Sequence, residues 1–264
     1  MKPTLLIAGL GNPVLADFVA HAQGRYRLVV VSTSRLCREV KRYAETYPAN
    51  TFARDGFRSA YQGEVFSLVV FLGRRLTTTE QNLLDTLAEI ARQQPAIRVG
   101  VISTFRVHCG DGAAARVEAY LRNRLQSIGV KALLFRPGHV LSGRSRVRQW
   151  LRSLAFCHPL VPERFQSCFL TGDELFCVLE RELEDPKPRP SRTFTLLGRN
   201  RSWKAILREN QNRSLGQRVL TAAAMVLSLL QVGRVLGLFF DLLARVVPRL
   251  RAWNFDTLIP RGPR

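Results

Sequence analysis

Five apolar runs mark the first half of the chain: Leu5–Ala8, Leu28–Val31, Val65–Leu72, Arg98–Ser103 and Val130–Phe135. Each is short and nearly continuous, as expected of parallel strands buried on both faces. Between them the apolar positions change period. Val14, Leu15, Phe18 and Val19 fall at helical spacing, as do Leu36, Val40, Tyr43 and Ala44 over 36–47. Leu83, Leu84, Leu87 and Ile90 do so over 79–93, and Val117, Tyr120, Leu121 and Leu125 over 113–127. Segment 48–63 is polar and turn-rich. The alternation predicts an α/β fold, a Rossmann-like doubly wound parallel sheet with right-handed crossovers.

The order loosens after Leu141. Residues 142–152 are basic, 167–171 read as a short strand and 172–182 as a helix opened by Asp173 and Glu174. A proline-rich loop, 185–192, precedes a strand at 193–197 and a helix at 203–209. Residues 219–247 are almost wholly apolar, broken by Arg234, Asp241 and Arg245. The organisation expected is a nucleotide-binding domain at 1–140, a small substrate-side region completing the fold at 141–212, and apolar, basic helices at 213–264. The tail suits an interfacial anchor whose arginines meet anionic headgroups. A hairpin turning near Gly233, or helices packed on the core, uses the same pattern. The uninterrupted part, 219–233, falls short of the roughly 20 residues a spanning helix needs.

Candidate chemistry begins at the first turn. Gly9-Leu10-Gly11-Asn12-Pro13 follows the first strand and opens a helix. A glycine there lets the backbone approach a pyrophosphate, and the helix start offers N–H groups to it. The pattern is partial, because Val14 stands where G-x-G-x-x-G has its third glycine; a plain βαβ turn uses the same residues. Ligands of such sheets lie beyond the strands' carboxyl ends. Those ends hold Gly9–Asn12, Ser32–Arg35, Gly73-Arg74, Ser103-Thr104 and Arg136–His139. An NAD site usually places an acid about 20 residues beyond the glycines. No acidic residue lies between Asp17 and Glu39, and Ser32, Thr33, Ser34 and Arg35 suit a 2′-phosphate. NADP is therefore expected over NAD.

Composition adds one constraint. The 264 residues carry 40 Lys+Arg against 20 Asp+Glu, a net charge of +20. From Arg189 onward there are fourteen basic residues against three acidic ones. The excess calls for an anionic partner: an acidic membrane surface, a phosphorylated substrate or nucleic acid. No nucleic-acid module is recognisable, so nucleic acid is not expected. Five cysteines without a C-x-x-C pair argue against a disulfide framework or zinc knuckle, and no metal site is expected. Gly9, Gly11, Asn12 and Pro13 interrupt the first apolar run, which argues against a signal peptide. A reduced cytoplasmic protein, peripheral at the inner membrane face, is the expected setting.

Four segments resemble the extended or atypical short-chain dehydrogenase/reductase superfamily, of the NAD-dependent epimerase/dehydratase type, over roughly residues 4–200. The glycine turn at Gly9 follows the first strand. Ser103–Gly110 is similar to the family's S-S-x-x-V-Y-G, Arg136–Val140 to R-P-x-x-V, and Thr171–Leu175 to V-x-D-L-A. The resemblance implies a nucleotide cofactor and a sugar or lipid-linked substrate. It implies a cofactor set of Gly9, Gly11, Asn12, Ser32, Ser34, Arg35, Gly73, Ser103 and Pro137. It also implies that Thr104 polarises a substrate oxygen. The catalytic Y-x-x-x-K is missing: Arg116 lies where the lysine would be, and Gly112 where the tyrosine would be. Arginine can bond a ribose but donates no proton. The alternative is a non-catalytic Rossmann scaffold. His108 and His139 follow strand ends and are further candidates for the cleft, while Arg144, Arg146 and Arg148 could grip a phosphorylated substrate.

Overall fold

A computed structural model describes residues 2–10, 12–52, 67–73, 75–94, 96–108, 110–143, 146–161, 163, 165–185, 191–211 and 215–229. The first strand, β1 (Thr4–Gly9), sits at the centre of a seven-stranded sheet. It pairs in parallel with β2 (Arg27–Ser32) on one side and β4 (Ser67–Phe71) on the other. Beyond β2 lies β3 (Glu45–Pro48). Beyond β4 come β5 (Arg98–Ile102), β6 (Ala132–Pro137) and β9 (Arg192–Leu196). All six pairings are parallel. The order β3-β2-β1-β4-β5-β6-β9 reverses direction between β1 and β4, the switch point where α/β sheets open a ligand crevice.

The period-2 alternation of β1 divides the core. Leu6 and Ala8 face one side, with Val29, Val31, Leu68 and Val70. Helices α4 (Thr78–Gln93) and α5 (Gly112–Ser127) cover that side through Leu83, Leu84, Leu87, Val117, Leu121 and Leu125. Leu5 and Ile7 face the other side, under α1 (Pro13–Ala22) and α7 (Gly172–Glu184). Phe18, Phe71 and Phe135 are fully enclosed there, each burial contributing about 2–3 kcal/mol. Gly100 lets α7 lie close on β5, since a Cβ at that position would stand 3.1 Å from Leu179 Cδ1.

A smaller sheet extends from this frame. β7 (His139–Leu141) pairs in parallel with β8 (Gln166–Thr171), which pairs antiparallel with β10 (Arg199–Ser202). Its core is Leu151, Phe169, Trp203, Ile206 and Leu207. These come from β8, α6 (Arg146–Leu154) and α8 (Trp203–Glu209). The Trp203 indole N–H donates to Ser167 Oγ at 2.7 Å. A 3-10 segment at Ala155–Leu160 carries α8 and the last described helix, α9 (Leu215–Leu229).

The expected elements are present with shifted ends, and one is corrected. Residues 36–47 do not form a single helix. Helix α2 (Ser34–Val40) ends early and the chain re-enters the sheet as β3, followed by the one-turn α3 (Ala49–Phe52). β3 is an edge strand with half-exposed side chains, so it carries no apolar run, and its terminal Pro48 is tolerated at an edge. Helix α6 and strand β7 were not expected. Strand β9 joins β6 at the edge of the larger sheet. Residues 53–66, 186–190 and 230–264, which include most of the 48–63 loop, part of the proline-rich loop and much of the apolar tail, lie outside the described residues. Among the described residues no helix is long and apolar enough to cross a membrane.

Candidate functional site at the carboxyl ends of the strands

Gly9 ends β1 against β4. A Cβ on it would stand 2.9 Å from Phe71 Cβ and collide with the Phe71 carbonyl. Only glycine fits, so the turn begins with backbone bare of side chain. Ser32 closes the turn from below: its buried hydroxyl donates to the Gly9 carbonyl at 2.5 Å. Ser32 therefore braces the turn and does not present its hydroxyl to the crevice. Gly11 lies outside the described residues.

Helix α1 starts at once, at Pro13, and its first turn is already occupied. Pro13 has no N–H, Asn12 Oδ1 accepts from Val14 N at 3.1 Å, and Leu15 N bonds the Asn12 carbonyl at 3.2 Å. Of the four N–H groups a helix start leaves open, the proline removes one and Asn12 takes two. Asn12 thus acts as a cap; the grip of this helix on a phosphate is reduced accordingly.

The end of β2 is different. Thr33 caps α2 by accepting from Leu36 N, and Ser34 and Arg35 stand exposed on its first turn. Arg35 has no acidic partner among the described residues. At the end of β4, Gly73 N donates to Glu80 Oε1 at 2.9 Å. Glu80 is 2% exposed, and burial pushes its carboxyl above the ordinary range, partly offset by that bond. The Gly73 N–H is therefore engaged from within the protein.

The most developed cluster joins the ends of β5 and β6. Ser103 Oγ donates to Glu118 Oε2 at 2.6 Å. Arg136 clamps the same carboxylate, Nε to Oε2 at 3.0 Å and Nη2 to Oε1. Arg136 Nη1 also meets His108 Nε2 at 3.1 Å. Arginine only donates, so Nε2 accepts and the imidazole proton sits on Nδ1. Burial first, and then the adjacent Arg136 charge, depress the His108 pKa, so the ring is neutral at physiological pH. Burial alone would raise the Glu118 carboxyl, but the bonds from Arg136 and Ser103 outweigh it and hold it below its ordinary value.

Thr104 lies next to Ser103 of this cluster, just beyond β5, where it caps the 3-10 turn Phe105–Val107. Its side chain accepts from Arg106 N at 3.3 Å, which leaves its own proton available for an oxygen of a ligand. Arg116 does not join it. It stands on the exposed face of α5, and the inward position is Glu118, two residues on. Pro137 is buried in the sheet opposite Leu196. His139 is enclosed beside Phe169 and Trp203 in the smaller sheet. Tyr26, Tyr47 and Tyr120 give their hydroxyls to Glu184, Glu45 and Asp85, and none of the three joins the Ser103–His108 cluster. Asp173 and Glu174 do open α7, where Glu174 and Thr171 form a reciprocal cap. The side chains of Arg144 and Arg146 lie outside the described residues; Arg148 is half-buried on α6.

Sequence reasoning missed Glu118, although its period marks it. Ala114, Val117, Leu121 and Leu125 form the buried stripe of α5, and 118 falls on that stripe. An acid there needs a cation against it, and the half-buried Arg136 is that cation.

No protein-family model matches the sequence, and no curated protein is similar to it. Solved structures are. The dTDP-glucose 4,6-dehydratase of Bacillus anthracis, in complex with NAD, aligns with a TM-score of 0.58 at 10% identity, over 79% of this chain and 84% of that one. The UDP-glucose 4-epimerase of Thermotoga maritima, with UDP-glucose, gives 0.55 at 14% identity over 78% and 81%. The UDP-glucuronic acid 4-epimerase of Bacillus cereus, in complex with NAD, gives 0.58 at 10% over 82% and 90%. The chain shares the Rossmann-like fold of these epimerases and this dehydratase. At these identities the likeness is one of fold.

Proposed function

We propose that the chain binds a nicotinamide dinucleotide at the carboxyl edge of the larger sheet, NADP in preference to NAD. We further propose that it handles a sugar or lipid-linked substrate at a membrane surface. The observation that carries the reading is the switch point between β1 and β4, where Gly9 admits no side chain, with Arg35 exposed at the end of the neighbouring strand. An exposed guanidinium in that place suits a ribose 2′-phosphate, and among the described residues no carboxylate pairs with it. Solved structures of the same fold were obtained with NAD or UDP-glucose, which supports the ligand class. Gly9, Ser34 and Arg35 would hold the dinucleotide, the Asn12 side chain being committed to its cap, and the Thr104 hydroxyl would polarise a substrate oxygen. When bound, the dinucleotide would supply hydride chemistry.

A second reading, a binding platform without turnover, is favoured by the Ser103–Glu118–Arg136–His108 cluster. It sets a charge-neutralised salt bridge close to Thr104, and it contains no tyrosine–lysine pair.

Titration of the purified protein with NADPH and NADH, followed by energy transfer from tryptophan to the nicotinamide, tests the first reading. NADPH should bind at least about tenfold more tightly than NADH, and Arg35→Ala should erase the difference. Failure of both nucleotides to bind would remove the oxidoreductase reading and leave the platform.

A further inference from the structure

Helix α9 is built inside out. The residues it turns toward the protein are small or polar: Thr221 and Ala224 are buried, and the Thr221 hydroxyl accepts from Gln211 Nε2 at 2.8 Å. Among its described side chains the large apolar ones face outward. Val219 is 63% exposed, Leu220 50%, Met225 51% and Val226 59%, with Ala222 and Ala223 exposed between them. A surface helix of a water-soluble protein has the opposite polarity. Val219, Ala223 and Val226 fall at i, i+4 and i+7, so the outward side is one continuous apolar face.

The surroundings say what fits it. α9 rests on the 155–160 segment, which also carries α8. Residues 141–171 and 199–229, which supply this lobe, hold eleven basic residues against two acidic ones. Beyond α9 the sequence from 230 to 247 stays apolar apart from Gln231, Arg234, Asp241 and Arg245. A second copy of the chain docking face to face would bring two basic lobes together, a like-charge juxtaposition that disfavours association. An anionic bilayer meets both requirements, taking up the apolar face while its headgroups attract the basic lobe that carries it.

We propose that the outward face of α9, centred on Val219, Leu220, Met225 and Val226, docks on an anionic lipid surface. This deepens the membrane part of the reading above, and its test involves no dinucleotide, so either can fail alone. The full chain is sedimented with phosphatidylcholine vesicles, with and without phosphatidylserine. The same is done with the double variant V219E/V226E, which changes two exposed side chains. The expected result is binding that requires phosphatidylserine and weakens by about tenfold or more in the variant, with an unchanged melting temperature. Equal binding of the variant would overturn the assignment of this face. Absence of vesicle binding would also overturn it. In that case a dimer seen by light scattering and lost in the variant would identify a second copy as the occupant. A monomer whose variant melts lower would identify the chain's own following segment.

Discussion

Glu118 is the residue whose change should be most informative. It is 3% exposed, and its charge is compatible with burial only because Arg136 and Ser103 surround it. Glu118→Gln leaves the Arg136 guanidinium without a counter-charge, which should cost about 3 kcal/mol near neutral pH. The pH dependence has a definite sign. The folded pKa of Glu118 lies below its ordinary 4.5, so its contribution is complete above the unfolded value and is lost as pH falls through the folded one. Urea midpoints of the two proteins should therefore differ widely near pH 7 and draw together as the pH falls below the ordinary carboxylate range. A gap of constant size would mean that shape, not charge, is what Glu118 supplies.

At the scale of elements, the start of α1 sets stability against binding. Asn12 caps the helix with the same geometry that withholds Val14 N–H from a phosphate. Asn12→Gly keeps a residue suited to the cap position, at a cost of only a few tenths of a kcal/mol, and releases that N–H. NADPH should then bind more tightly, with the melting temperature nearly unchanged. Weaker binding would instead make the Asn12 side chain a direct ligand, as the sequence pattern by itself suggests. The same scale shows what the sequence could reveal. β1, β2, β4, β5 and β6 are legible because strands buried on both faces print as apolar runs. Edge strand β3 is not, since half its surface meets water. Helix α6 is not, because its basic residues mask its period. At the site, Gly9 is legible from turn chemistry. The pairing of Glu118 with Arg136 is a tertiary fact joining α5 to β6, and spacing encodes only that Glu118 points inward. Arg116 was chosen by likeness to a motif, and the helical period places it outside.

For the whole molecule, the question is whether the two sheets behave as one body. The chain passes between them three times, once through α7 from β8 to β9 and twice by a short direct link. It leaves the larger sheet at Pro137 and enters the smaller at His139, then leaves β9 at Leu196 and enters β10 at Arg199. The two direct links are bonded to each other, Gly138 N to the Leu196 carbonyl at 2.9 Å. Gly198 makes the second link possible. Its φ is 77°, and a Cβ there would lie 2.7 Å from Leu170 Cα and collide with the Phe169 carbonyl. Gly198→Ala therefore meets both a left-handed backbone and a clash with β8, and should cost roughly 2–4 kcal/mol. Because β9 belongs to the larger sheet and β10 to the smaller, that loss should be felt by both. Thermal unfolding followed by far-ultraviolet circular dichroism reports mainly the larger α/β body, while tryptophan fluorescence reports Trp203 in the smaller sheet's core together with Trp150 on α6 and Trp253. In the parent chain the two transitions should coincide, and in Gly198→Ala they should move down together by about 4–8 °C. A variant whose fluorescence transition alone falls would show that the smaller sheet unfolds as a separate unit, and that the paired direct links do not couple the sheets.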